Sequence, residues 1–218
     1  MNESPFIDVH SHNNDEVEHI KVVAYDPSTP YLLGNGYYSI GVHPWNAASC
    51  PTHGLEAFFD NCSTLCLAVG EIGLDKRCSV PFSIQKEAFI KQLDIARKLG
   101  KPAIIHCVKA YPEMVQIAKQ YSDIQLIFHA FWGSPQIVDL LSSNSNSYFS
   151  FGIRELKRQH CDSLLRLIPK NRLFFETDEA SQGIEICYTI AANYLNINPQ
   201  SLAIQVKHNF DKVFKIDE

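Results

Sequence analysis

The sequence predicts a (β/α)8 TIM-type barrel in a single domain over residues 1–218, with helices reduced in the N-terminal third. Three observations carry that expectation. Eight short apolar runs alternate with longer amphipathic stretches, and strands alternating with helices build parallel sheets from βαβ units. The 218-residue chain is long enough for a substantial core, yet it has no repeat, low-complexity tract or Pro/Gly-rich linker that would divide it. Run after run is closed by a histidine or a carboxylate, at the strand ends where a barrel gathers its functional side chains.

The elements follow in order. The first run, residues 6–9 within PFIDVHSH, reads as a short buried strand. Side chains two apart on a strand share a face, so His10 and His12 aim together and form a natural pair of metal ligands. A surface His-x-His is the plainer alternative. Residues 20–24 and 37–42 give the next two strands, and the span from 12 to 37 leaves little room for full helices. Loops or single turns are expected there, with that side of the barrel thinly covered. The remaining strands fall at 65–69, 102–105, 125–128, 148–151 and 172–175. Residues 82–99 form an amphipathic helix with Phe82, Ala88, Phe89, Leu93, Ala96 and Leu99 on one face. It ends at Gly100 with Pro102 beyond, as helices commonly do. Further helices are expected over 111–121, 134–141, 161–168, 184–195 and 199–214.

Composition narrows the class. A hydrophobic fraction of 45% and a charged fraction of 20% are ordinary for a soluble protein, and a formal net charge of -5 argues against a nucleic-acid coating protein. No apolar run reaches membrane-spanning length, and MNESPF lacks the charged and apolar regions of a leader. A cytoplasmic monomer without membrane association is expected. The seven cysteines form no C-x-x-C pair, so reduced packing thiols are expected rather than a zinc ribbon or a disulfide scaffold.

Reading off the strand ends gives His10, His12, His43, Glu71, His106, His129 and Asp178. Four other histidines, His19, His53, His160 and His208, fall elsewhere and read as surface or helix-packing residues. One histidine after an apolar run is usually structural. Five such histidines and two acids in one topological position are economically explained by metal, which needs imidazoles and carboxylates converging from different strands.

FIDVHSH, SIGVHPW, VGEIGLD, AIIHCVKA, FHAFWGS and FFETDEA occur in that order, and the chain closes with VKHNFDKVF. Together they resemble the TatD family of metal-dependent hydrolases in the amidohydrolase-like barrel superfamily. The likeness runs from Phe6 to Phe214. The resemblance implies that His10, His12 and Asp178 hold one divalent ion, that His106 and His129 hold a second, and that Glu71 bridges them. Zinc, manganese, magnesium, iron or nickel would suit such ligands. It further implies that Asp178 acts as general base toward the attacking water, that His43 faces a substrate phosphate, and that Glu176 supports the ligands from behind. The plainer alternatives are a helix N-cap for Asp178, ahead of residues 180–188, and a cap before Pro44 for His43.

The departures from the family pattern bear on substrate. Asn13 and Asn14 follow the histidine pair where the family has Leu-Asp, and Glu179-Ala180-Ser181 replaces Ala-Pro-Tyr. Where the family has an arginine two residues after the fifth-strand histidine, this chain has Val108. Lys109 is adjacent, but it offers a point charge instead of a bidentate fork. Substrate contacts are therefore expected from His43, Lys109 and Trp132, with Trp45 a second aromatic able to stack on an unpaired base. Cys107 adjoins a ligand, and packing is its expected job. The expected activity is hydrolysis of phosphodiesters at single-stranded DNA or RNA ends. The alternatives are hydrolysis of a small phosphoester, amide or ester, and a degenerate barrel kept for binding.

Overall fold

Each apolar run becomes a strand. The computed structural model describes residues 4–13, 19–27, 36–50, 52, 54–61, 64–144 and 146–216. Its strands are β1 (Ile7–Ser11), β2 (Ile20–Tyr25), β3 (Tyr37–Ile40), β4 (Cys66–Asp75), β5 (Ala103–Val108), β6 (Leu126–Phe128), β7 (Ser147–Phe151) and β8 (Leu173–Phe175). They form one parallel eight-stranded sheet in sequence order. The sheet curls until its edges meet. Asp178 N–H donates to the His10 carbonyl at 3.0 Å and His12 N–H donates to the Asp178 carbonyl at 2.9 Å, bridging β1 to the end of β8. The result is a nearly closed barrel.

The helices are α1 (Leu55–Asn61), α2 (Phe82–Leu99), α3 (Tyr111–Gln120), α4 (Pro135–Ser142), α5 (Ile153–Leu156), α6 (Cys161–Leu167), α7 (Ile184–Leu195) and α8 (Pro199–Phe214). Their ends are set by chemistry legible in the sequence. Gly100 takes a left-handed φ of 63° after α2, and the Ser134 hydroxyl accepts from Ile137 N–H at the start of α4. The expected helices all stand. The 3₁₀ turn Pro44–Asn46, α1 and α5 went unpredicted, being too short to show a helical period.

Coverage differs around the barrel. From β4 onward at least one helix follows each strand up to β8, but α1 is the one helix preceding β4 among the described residues. β2 is buried only at its centre, whereas β1, β4, β6, β7 and β8 are buried throughout. Residues 14–18 and 28–35 of the early connections lie outside the described residues. The core around the late strands is aromatic, where Phe128, Phe149, Phe151, Phe174 and Phe175 are fully buried. Each such side chain contributes about 1.5–3 kcal/mol by leaving water.

β4 corrects the sequence reading. It was expected to stop at residue 69, but it continues through Glu71 to Asp75 with all ten residues buried. Gly73 shows what the glycines are for. Its φ is 154°, and a Cβ there would lie 1.9 Å from the His106 carbonyl oxygen. The missing side chain lets β4 and β5 close up beside His106.

Five cysteines are free thiols, Cys50, Cys78, Cys107, Cys161 and Cys187, but Cys66 is disulfide-bonded. The expectation of uniformly reduced thiols fails at Cys66, because pair spacing and an odd total are blind to one isolated bridge. His160 and His208 are exposed as expected, His53 lies outside the described residues, and His19 is largely buried with Nε2 4.0 Å from Asp8 Oδ2. No helix among the described residues is long and apolar enough to cross a membrane.

Candidate active site

Glu71 organises the mouth of the barrel. Its side chain is buried, and five imidazoles surround it. Its Oε1 lies 2.6 Å from His106 Nδ1, 2.7 Å from His129 Nε2 and 3.3 Å from His43 Nε2. The second oxygen, Oε2, lies 3.3 Å from His10 Nε2 and 3.4 Å from His12 Nε2. Beyond these two imidazoles, Asp178 Oδ1 is 3.9 Å from His10 Nε2 and 3.6 Å from His12 Nε2. One carboxylate thus turns an oxygen to each of two ligand sets. Seven side chains expected at strand ends meet in one place.

Their backbone positions are more varied than the reading implied. His10, Glu71 and His106 sit inside β1, β4 and β5, while His12 and His129 follow their strands directly. His43 and Asp178 each stand three residues past a strand. Asp178 has a left-handed φ of 53°, a conformation costing about 1–3 kcal/mol that only firm support maintains. The bridge to β1 supplies part of that support. Asp8 supplies the rest, since Thr177 N–H and its hydroxyl donate to the Asp8 carboxylate at 3.0 and 2.7 Å. Burial pushes the Asp8 carboxyl up to about 7 against those two hydrogen bonds. The N-cap alternative for Asp178 fails, because α7 begins at Ile184 with Gly183 as its cap.

Both readings of His43 hold at once. Its Nδ1 accepts from Trp45 N–H at 3.2 Å, capping the 3₁₀ turn, and this leaves Nε2 to face Glu71. Glu176 stands behind His129, with Oε1 3.4 Å from Nδ1 and accepting from Ala130 N–H at 2.7 Å. That arrangement presents His129 Nε2 to the cluster.

Electrostatics follow from this crowding. Burial alone would raise the Glu71 carboxyl, but the charge of His129 and the facing imidazoles of His10, His106 and His12 overcome it and hold Glu71 well below the usual carboxylate range. Burial opposes charge on His129 as well, yet Glu71 and Glu176 together lift it well above an ordinary imidazole. Asp178 moves the other way. Burial, with the charge of Glu176 adding to it, raises its affinity for a proton.

This donor set suits a divalent cation. His10 is fully buried, yet neither ring nitrogen has a hydrogen-bond partner. His106 Nδ1 and His129 Nε2 lie 3.1 Å apart and both face Glu71 Oε1, so three potential donor atoms crowd one point. Three groupings have donor atoms close enough to share an ion: His10 with His12 and Glu71, His10 with His129 and Asp178, and His43 with Glu71 and His106. Mixed imidazole and carboxylate donors of this kind are what zinc-like and harder divalent ions accept.

A cavity of about 800 Å³ opens over the cluster. His12, His43, Glu71, His106, His129 and Asp178 all reach it. Two of the expected substrate contacts do not line it. Lys109 is exposed where a φ of 54° turns the chain away after β5, and Trp132 packs partly on the core with Arg158 5.0 Å above its ring. Trp45 does line the cavity, with 60% of its surface exposed.

Sequence reasoning missed several supports. Asp75 accepts from Trp45 Nε1–H at 2.7 Å and stands 3.5 Å from His106 Nε2, and it was visible as the last letter of GEIGLD. Gln92 accepts from Val42 N–H at 2.7 Å and donates to its carbonyl at 3.1 Å, fixing the residue before His43. Gln85 pins the backbone of Asp75 in the same way, at 2.8 and 3.0 Å. Arg77 and Arg154 line the cavity and were not singled out.

With this geometry in hand, comparison with known proteins places the chain. The family model described as TatD related DNase matches residues 29–215. The chain belongs to that family. The matched stretch begins after His10 and His12, so these two rest on the geometry above. The metal-dependent hydrolase YabD of Bacillus subtilis is 31% identical over 177 residues, covering 75% of this chain and 69% of YabD. The human 3'-5' RNA nuclease TATDN2 is 32% identical over 119 residues, which is 51% of this chain but only 16% of that protein. The 3'-5' ssDNA/RNA exonuclease TatD of Rahnella is 33% identical over 153 residues, covering 63% of this chain and 55% of the relative. Among solved structures, the TatD homologue YJJV of Escherichia coli superposes with a TM-score of 0.81 at 17% identity, covering 97% of this chain and 98% of that one. The dihydroorotase of Campylobacter jejuni superposes with a TM-score of 0.68 at 11% identity, covering 99% and 85%. These two likenesses speak for the barrel alone.

Proposed function

We propose that the chain, as one catalytic domain, hydrolyses phosphodiester bonds at the ends of single-stranded DNA or RNA. The observation that carries this reading is the division of Glu71, with Oε1 turned to three imidazoles and Oε2 to two more beside Asp178. The names of the human and Rahnella relatives, both 3'-5' nucleases, point to the same reaction. In this reading His10, His12 and Asp178 would hold one ion and His106 and His129 a second, with Glu71 shared between the two sets. Divalent ions in this donor set would acidify water and neutralise phosphoryl charge.

The chain's own groups do the rest. Asp178 Oδ1, raised in proton affinity by burial, receives the proton of the attacking water as the new oxygen–phosphorus bond forms and the phosphorus–oxygen bond to the leaving nucleoside breaks, the departing oxygen taking up a proton from solvent. His43, anchored through Nδ1, points Nε2–H at a phosphoryl oxygen and stabilises charge developing there. Glu176 and Asp75 hold His129 and His106 in orientation. Trp45 offers an exposed ring on the cavity wall against which an unpaired base can stack. A duplex end hides that face, which favours single strands.

The test is hydrolysis of bis(p-nitrophenyl) phosphate and of a single-stranded oligonucleotide by the purified protein, before and after EDTA and after return of zinc, manganese or magnesium. The reading expects EDTA to abolish turnover and one of the ions to restore it. Turnover indifferent to EDTA, or no turnover with any ion, would contradict it.

A further inference from the structure

Val108 removes a phosphate-binding arginine, yet the cavity it lines is not without cations. Arg77 and Arg154 line the same space, and among the described residues neither guanidinium makes an ion pair or hydrogen bond with protein. Arg77 stands two residues beyond β4 and Arg154 three residues beyond β7. Val108 ends β5, between those two strands in the order of the sheet. Because β4 and β7 are three positions apart in that order, the two arginines approach the cavity from different sectors of the barrel mouth.

The neighbouring acids are largely committed elsewhere. Asp26 accepts from Asn46 at 2.6 Å, and Asp75 accepts from the Trp45 ring and from the Arg77 backbone N–H, both at 2.7 Å. That last bond anchors the Arg77 backbone and leaves its side chain free to turn. Glu71 and Asp178 face the imidazoles, which leaves Glu179 as the opposing charge on the wall.

Building on the phosphodiesterase reading, we propose that Arg77 and Arg154 each bind one phosphate flanking the scissile one, replacing a single central arginine with two lateral contacts. The substrate class this selects is an oligonucleotide with a phosphate on either side of the reacting bond, which at a strand end means one that carries a terminal phosphate. A simple diester or a mononucleotide would leave both forks empty. Guanidinium groups suit the task because they present paired donors to phosphate oxygens and stay charged at any working pH.

Binding measured against salt tests this directly. The probe is a fluorescently labelled single-stranded octanucleotide with phosphorothioate linkages, which resist hydrolysis. On a single strand each neutralised phosphate contributes about 0.7 to the log–log dependence of affinity on salt, so two arginines account for about 1.4. Arg77→Ala and Arg154→Ala should each reduce the slope by about 0.7, and the double variant by about twice that. Arg77→Lys and Arg154→Lys keep the charge and should keep the wild-type slope, which a merely structural role would not predict. A double alanine variant with the wild-type slope, or lysine variants as impaired as the alanine ones, would overturn the proposal. The measurement needs no turnover. Protein that binds with these slopes but hydrolyses nothing would contradict the phosphodiesterase reading and leave Arg77 and Arg154 as phosphate contacts of a single-strand binding groove.

Discussion

The two oxygens of Glu71 look into different surroundings. The Oε2 side is assembled along one seam of the barrel, from His10 and His12 on β1 and Asp178 just past β8, and it opens to solvent, with the His12 side chain 43% exposed. The Oε1 side draws on different stretches of chain, with His43, His106 and His129 following or lying in β3, β5 and β6, and all three are largely enclosed. Behind it stand Glu176, Asp75 and the buried amides of Gln85 and Gln92. The lesson concerns cost. A site drawn from one seam can be open because the sheet fixes most of it, with Asp8 behind Thr177 as the buried support, whereas a site drawn from separate strands needs several buried polar supports that become part of the core.

Damage on the two sides should therefore register differently. His129→Ala leaves Glu71 and Glu176 buried with a partner missing, and breaking such a buried pair costs about 3–5 kcal/mol of folding stability. His12→Ala removes a half-exposed ring and should change stability by less than about 1 kcal/mol while still lowering hydrolysis. Urea unfolding of both variants measures the contrast, and equal losses would erase the distinction.

Glu71→Gln touches both sides at once. It keeps the shape and removes the charge, so hydrolysis should fall about a hundredfold or more, the scale of losing a dominant electrostatic group. Steady-state kinetics with bis(p-nitrophenyl) phosphate reads this, and a fall of less than tenfold would separate Glu71 from the chemistry.

The supports of the enclosed side come next in size. Gln92→Leu leaves the Val42 N–H and carbonyl buried without partners, at about 1–3 kcal/mol each. It should lower the urea midpoint and slow turnover by loosening His43. Normal kinetics at normal stability would show that α2 does not position that loop.

The smallest effect is expected at Cys107. Burial pushes its thiol up to about 12, so no thiolate is available near neutral pH. Cys107→Ser should leave hydrolysis within about twofold of wild type, and iodoacetamide should not inactivate the enzyme by modifying it. Loss of activity on either treatment would assign Cys107 a part in the site.

The same contrast explains what could be read from sequence. The open side was legible because H-x-H on a strand needs only the two-residue pleat, and Asp178 closes the ETD motif at the far end of the chain. Strands and long helices were legible for the same reason, as their periods are local. The histidines of the enclosed side could be found as run-closing residues, but their supports could not. Gln85 and Gln92 lie in α2, and the backbones they hold belong to Asp75 and Val42, at the far ends of other strands. Arg77 and Arg154 follow strands three positions apart, so only the closed sheet brings them to one cavity. β4 runs past residue 69 through Gly70 and Gly73, and Gly73 serves a close approach to His106 that no local pattern shows.

The central claim is that Glu71 serves two cation sites through its two oxygens, and metal content tests it most directly. Elemental analysis of the wild-type protein, equilibrated with zinc or manganese and freed of loosely held ion, should give two ions per chain. Glu71→Gln, treated identically, should give one or none while keeping the wild-type fold by circular dichroism. A wild-type protein that holds a single ion, or a glutamine variant that keeps two, would contradict the account.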